Sequence, residues 1–309
     1  MAAAETVLTR AAVERQLRGA GRDVRGAMFS ALLLSTLVIS LGVLVVLLTD
    51  VARRGLPVFA DRGADFLTAG YSTIPTRAGV GQALLGSGLL MAFVLVVAFP
   101  IGIGAAIYLE EYARDSRWTR ILTATIRNLA GVPSIVYGLL GLAIFVNAIG
   151  GLTGGLTVLS GGLTLSVLIL PLVIITTSEA LRAVPDSIRE AGFGVGATRW
   201  EVVRSHVLPS AAPGILTGVI LSLARAFGET APLILVGAKL GFFTVGSGGL
   251  GEQLLGPYTA LPTIVFLFSR QPKPEFQALA AAAIVVLLGV LLVMNSLAIV
   301  LRNRYERVR

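Results

Sequence analysis

Residues 179–209 read EALRAVPDSIREAGFGVGATRWEVVRSHVLP. This charged stretch lies between two runs where charge is nearly absent. Asn128 to Ser178 carries none, and Ser205 to Ala238 carries only Arg225 and Glu229. Asp186 to Phe193 has helical character, Gly194 and Gly196 interrupt it, and a second amphipathic segment around Trp200 leads to Pro209. Pro209 is expected in the first turn of the following helix, where its missing N–H has no partner to lose. A charged helical hairpin between two apolar runs is the surface loop of a chain whose flanking segments cross a membrane.

The rest of the sequence agrees. Of 309 residues, 55% are hydrophobic and 14% charged, and the mean hydropathy is +0.85, outside the range of soluble domains. A helix needs roughly 20 apolar residues to span the hydrocarbon. The first candidate runs from Met28 to Leu48 and the second lies within Ala83 to Leu109. The third and fourth share Asn128 to Ser178, divided by the Gly-rich connector GGLTGGLTVLSGG (Gly150 to Gly162). The fifth is expected from Pro209 to about Val236, and the sixth from Phe276 to Leu301. Pro100 and Pro171 are expected to interrupt the second and fourth. A shorter apolar segment, Leu254 to Ser269, contains two prolines and reads as re-entrant or interfacial. The expectation is an all-α integral membrane protein with six transmembrane helices.

Six spans put both termini on one side. That side carries 17 arginines, in the N-terminal tail, the connectors after the second and fourth helices, and the C-terminal tail. The opposite side has seven basic residues: Arg53, Arg54, Arg62, Arg77, Lys239, Arg270 and Lys273. The positive-inside rule makes the termini cytoplasmic. The net charge of +8 then reflects topology and anionic lipid, and no nucleic-acid partner is implied. The first helix has a long apolar region and no A-x-A site after it, so it reads as an uncleaved anchor. Residues 1–27 form a cytoplasmic tail that could include an amphipathic helix, 28–301 the transmembrane domain with its loop at about 179–209, and 302–309 a second tail.

Several chemistries are excluded. Without cysteine there is no disulfide or thiolate metal site, and one histidine, His206, reads as an interfacial polar residue. Neither lysine ends a G-x-x-x-x-G-K-[ST] loop, so the chain has no such ATP-binding motif of its own. No G-x-S-x-G elbow or paired aspartates suggest a hydrolase. No metal site or cofactor is expected.

Arg225 and Glu229 need a reason to be where they are. Four residues apart on a helix they share a face and can pair. Counting from Pro209, Arg225 is about 24 Å into the fifth helix, past the midplane. Charges at that depth must be partnered or face a polar path. One reading is a packing lock. The other is that Arg225 faces the translocation path of an anion while Glu229 restrains it, with Thr230 adding a hydroxyl. Ala191 and Gly192, small residues on the loop, would let a docked partner approach the backbone closely; the alternative is a simple surface hairpin stabilised by ion pairs such as Arg182 with Asp186 at i,i+4.

Glu190, Ala191, Gly192, Gly196 and then Val207, Leu208, Pro209 resemble the EAA loop of ABC-importer membrane subunits. Gly192 replaces the third alanine of that motif and His206 its isoleucine. The resemblance implies a type I ABC importer permease fold in a bacterial plasma (inner) membrane, with Glu190, Ala191, Gly192 and Gly196 coupling to a separate ATPase that binds ATP and Mg. NLAGVPSIVYGLLG (Asn128 to Gly141), LARAFGETAPL (Leu223 to Leu233) and PEFQALAAA (Pro274 to Ala282) look like the phosphate-importer branch. GETAPL resembles one of its two homologous membrane subunits more than the companion, PstC, which usually has GETMAV there. The partners implied are a PstC-like subunit, two PstB-like ATPase subunits, a PstS-like phosphate-binding protein, phosphate and membrane lipid. Arg225 is then the first candidate to meet phosphate, with a fork that matches two oxygens at once. Arg127 and Arg182 are candidates at an inner exit. A permease for sulfate, molybdate or phosphonate would share the EAA loop, whereas a self-contained channel or secondary transporter would need no docking loop.

Overall fold

The computed structural model describes residues 24–238 and 249–307. The tail before Val24, Lys239 and the last two residues lie outside them. All regular structure among the described residues is helical. The chain separates into two compact units, 1–51 and 52–309.

Helix α1, Val24–Arg62, runs from the first unit into the second. Its residues 24–51 are exposed and apolar along nearly their whole length. Within the second unit, the end of α1 packs at Gly55, where a side-chain carbon would lie 2.8 Å from the backbone of Ala281 and Ala282.

Helix α2, Gly81–Ile107, continues as a wide π-turn over Tyr108–Tyr112. Pro100 sits inside it without ending it. Helix α3, Arg117–Ala130, starts at Ser116, whose hydroxyl accepts the Thr119 N–H, and stops before Gly131-Val132-Pro133. Proline cannot continue a helix and pushes its predecessor toward extended backbone. Helix α4 therefore begins afresh at Ser134–Gly141 and extends to Ala148 as a second π-turn, bent 100° from α3. The third expected span is thus a bent pair and not a straight helix from Asn128. Among the described residues there are five continuous helices of membrane-crossing length and composition, or six with this pair. The Tyr137 hydroxyl donates to the Leu129 carbonyl at 2.9 Å, which also accepts the Val132 N–H, so α4 is tied by a side chain to the end of α3.

Helix α5, Val158–Arg182, also runs through its proline, Pro171. Helix α6, Asp186–Gly194, follows the turn Ala183-Val184-Pro185. The next helical stretch starts at Arg199, capped by Thr198 and Glu201, passes through a π-turn at Val203–Val207 and becomes helix α7, Leu208–Gly228. Pro209 lies in the first turn of α7, as expected, but the continuous span of 30 residues to which α7 belongs starts earlier, at Arg199, and ends at Gly228. The π-turn is what accommodates the proline, because the regular ladder would ask Pro209 for an N–H it lacks. The fifth span ends at Gly228 and not near Val236; Glu229 is extended, and Ala231–Leu235 forms a separate short turn.

Small residues bring the helices together. Helices α2 and α5 pack most extensively, then α7 on α5. Gly102 faces Val173, Gly214 faces Ala180 and Gly218 faces Thr176, each with room for no added carbon. The last two pairs show α7 antiparallel to α5. Such backbone approach is how helices associate where lipid is as apolar as leucine. Helix α8, Leu261–Ser269, and helix α9, Pro274–Arg307, complete the unit. The segment read as re-entrant or interfacial is folded into the bundle: Tyr258, Thr259, Ala260, Leu261, Thr263 and Phe268 are all buried. The Leu261 N–H donates to Ser87 Oγ at 2.8 Å, and Gly86 meets the Thr259 backbone.

Candidate translocation path and coupling site

Arg225 stands in the last turn of α7. Because the helix ends at Gly228, Glu229 reaches back from extended backbone and does not lie one turn above on the same face. The carboxylate is still close, with Nε and Oε1 3.6 Å apart, Arg225 49% exposed and Glu229 16%. That distance is an ion pair without a hydrogen bond. The guanidinium keeps its donors for another acceptor. Thr230 follows in the break before the next short turn. The break thus puts a half-exposed cation, its carboxylate and a hydroxyl at one place, beside the α3–α4 bend.

Arg127 and Arg182 come together elsewhere. With Arg120, Asp115, Thr119 and Thr123 they line an open pocket of ≈ 380 Å³. Arg225 is not among its lining residues. Gly214 faces Ala180 near the end of α5, and Arg225 lies 11 residues further along α7, about 16 Å along the axis. Arg182 does not pair with Asp186. It makes a bidentate pair with Glu110 on the α2 π-turn, at 2.7 and 2.8 Å. Arg127 has no ion-pair partner among the described residues.

The loop below α5 is more tightly held than its sequence suggests. Arg189 on α6 donates from Nη2 to Glu111 Oε1 at 2.8 Å and to the Leu181 carbonyl at 2.9 Å. Its Nη1 donates to the Val184 carbonyl at 2.8 Å and to Asp186 at 3.2 Å, and its Nε donates to Glu111 at 3.3 Å. All five donors of the guanidinium are engaged. The bonds to Glu111 hold the Arg189 pKa above its ordinary range, against the opposing effect of burial. Arg199 adds a cation–π contact, 5.6 Å from the Tyr112 ring centre.

Glu190 and Ala191 are exposed on α6. Gly192 is buried: a side-chain carbon there would come 2.8 Å from Val202 Cγ2. Its lack of a side chain serves the closure of the hairpin on itself and does not open the backbone to a partner. Gly196 has φ +83° with nothing within 4 Å of an added carbon, so conformation alone demands glycine there. Sequence reasoning missed Tyr137, Glu110, Glu111 and Arg189. The available signal was the adjacent acid pair Glu110-Glu111, which ends the charge-free run of α2.

Apolar helices, one of which ends in a half-exposed cation, with a charged hairpin held beside two of them, fit a membrane-embedded transport subunit. Residues 98–307 match the family described as "Binding-protein-dependent transport system inner membrane component", and the chain belongs to that family. It is 37% identical over 221 residues to the phosphate transport system permease protein PstA of Yersinia pestis, covering 71% of each chain. It is 35% identical over 245 residues to the PstA permease of Mycobacterium leprae (strain TN), covering 78% of this chain and 79% of that one. Among solved structures, a bacterial alginate ABC transporter in complex with alginate pentasaccharide-bound periplasmic protein aligns with TM-score 0.63 at 16% identity, over 89% of this chain and 93% of that one. The inward-facing MetNI methionine ABC transporter aligns with TM-score 0.56 at 18% identity, over 73% and 97%. The fold is that of the type I ABC importer permeases, in a multi-pass protein of the inner membrane.

Proposed function

We propose that this chain is one membrane subunit of an ATP-driven phosphate importer and forms half of its translocation path. The observation that carries the reading is Arg225, a half-exposed cation at the end of a membrane helix, held by Glu229 at 3.6 Å without a hydrogen bond. Phosphate carries one to two negative charges near neutral pH and needs a compensating group in a low-dielectric path. A fully neutralised arginine would have little left to offer it, and a bare one would hold it too long. Similarity to PstA permeases makes phosphate the favoured oxyanion.

In this reading the termini are cytoplasmic, as the arginine distribution asks. Residues 28–301 are the permease domain, flanked by the two tails. A PstS-like protein delivers phosphate to the outer face of a pair formed with a PstC-like subunit. Two PstB-like subunits bind ATP and Mg beneath it, and this chain binds no cofactor. Glu190, Ala191, Gly192 and Gly196 belong to the helix and turn that meet the ATPase, and Thr230 lines the path beside Arg225. Arg127 and Arg182 stand at the inner exit, where the first has no ion-pair partner among the described residues and the second shares its charge with Glu110.

The test is uptake of radiolabelled phosphate at low micromolar concentration in cells lacking this chain, rescued by wild type or Arg225→Gln at matched membrane levels. Rescue by wild type alone supports both the substrate and the role of Arg225. Rescue by both reduces the ion pair to packing, and no rescue by an assembled wild-type complex moves the substrate to another oxyanion.

A further inference from the structure

The loop at 179–209 is attached to the membrane core in three ways. Two are covalent, through the turn Ala183-Val184-Pro185 at the end of α5 and through the π-turn Val203–Val207 into α7. The third is through side chains to the wide turn ending α2, Tyr108–Tyr112. There Glu110 takes Arg182 just before the turn, Glu111 takes Arg189 just after it, and Tyr112 lies under Arg199.

The middle attachment differs from the others in burial. Glu111 is 7% exposed and Arg189 18%, whereas Arg182 is 53% exposed. Arg189 also donates to the carbonyl of Leu181 in the last turn of α5 and to that of Val184 in the turn after it. One guanidinium thus ties α6 to α5 and to α2 at once. A π-turn is an uncommon element that widens the helix by one residue. Here it brings two consecutive glutamates round to two different arginines.

We infer that Glu111 is a positioning residue for energy coupling: it fixes Arg189 so that α6 moves as one body with α2 and α5. The inference rests on the reading of this chain as an importer subunit. Displacement of α6 by an ATPase would then reach α2 directly. Without Glu111, α6 would keep its packing on Val202 and its link to α7 but lose its side-chain tie to α2, and ATP would be hydrolysed with less movement of α2.

The test uses the whole importer in vesicles, with phosphate carried and ATP hydrolysed measured on the same sample. Glu111→Gln is expected to leave hydrolysis in place and lower phosphate carried per ATP by roughly fivefold or more, the lower range of a typical coupling factor. An unchanged ratio overturns the inference. The chain has no cysteine, so Glu111→Cys with Arg189→Cys can be bridged by a short bifunctional thiol reagent. Recovery of the ratio on bridging supports a mechanical tether, and complete bridging with no recovery overturns it. This pair also decides the matter if Glu111→Gln fails to assemble. A readout without substrate is thiol labelling of Val184→Cys, buried beneath the turn. It should speed up roughly fivefold or more when Glu111→Gln is added, and equal labelling rates refute the tether. A wild-type importer that hydrolyses ATP but carries no phosphate counts against the proposed substrate alone, with the labelling result still deciding the tether.

Discussion

Replacing Gly86 by alanine should loosen the bundle far more than the loss of one hydrogen atom suggests. A side-chain carbon at this position would lie 2.0 Å from the Thr259 carbonyl oxygen, with the carbonyl carbon at 3.2 Å. An ordinary C···O approach is about 3.3 Å or more, so two backbones must separate by more than about an ångström, with no flexible side chain to give way. Overpacking of this kind costs about 1–3 kcal/mol. The same separation pulls the Leu261 N–H from Ser87 Oγ, now 2.8 Å away, and leaving that buried donor unpaired adds about 1–3 kcal/mol. At about 2–4 °C per kcal/mol, the melting temperature should fall by roughly 4–24 °C. The assay is thermal melting of the detergent-purified complex, followed by loss of its size-exclusion peak. Gly88→Ala is the internal control, two residues along the same helix with nothing within 4 Å of an added carbon. It should melt at or slightly above the wild-type temperature, since alanine is the better helix former by about 1 kcal/mol. Equal melting of Gly86→Ala and wild type would refute the close approach and the pinning of the 258–269 segment.

Arg225→Gln should abolish phosphate uptake while the complex still co-purifies in normal amount; loss of assembly would make the ion pair a packing lock. Gly192→Ala, which restores the alanine usual in the EAA motif, should lower the melting temperature through its 2.8 Å approach to Val202, and adding Val202→Ala should remove most of that interaction in a double-mutant cycle. Gly196→Ala and Gly196→Trp should cost similar stability, about 1–2 kcal/mol, because the positive φ sets the strain. Only the tryptophan is expected to lower phosphate carried per ATP, which the vesicle assay reads directly.

The helical class and most spans were legible because long charge-free runs leave a chain few alternatives. What the runs could not show was where backbone geometry changes within them. Pro100 and Pro171 looked like breaks, yet α2 and α5 continue through them, while Pro133, preceded by Gly131, turns the chain by 100°. Pro209 does sit in the first turn of α7, but the π-turn at Val203–Val207 joins that helix to the stretch before it. The Arg225–Glu229 pair could be anticipated from charge placement alone. The early end of α7 at Gly228 could not, nor could the choice of Glu110 over Asp186 by Arg182. Such long-range pairings depend on which helices meet, and a spacing rule sees only neighbours on one helix.

The segment around Tyr258 has a consequence for how the protein is made. The bond from Leu261 to Ser87 closes a separation of 174 residues, and Gly161 on α5 packs so closely against Tyr258 that a side-chain carbon there would have no room. Ribosomes deliver α2 and α5 to the membrane long before residue 258 exists. Until then the seam between those helices holds two bare glycines and an unclaimed serine hydroxyl, a vacancy shaped for a piece not yet synthesised. The bundle is therefore closed from its C-terminal third, and a chain stalled or cleaved before that point would present quality-control proteases with an open seam in otherwise finished helices.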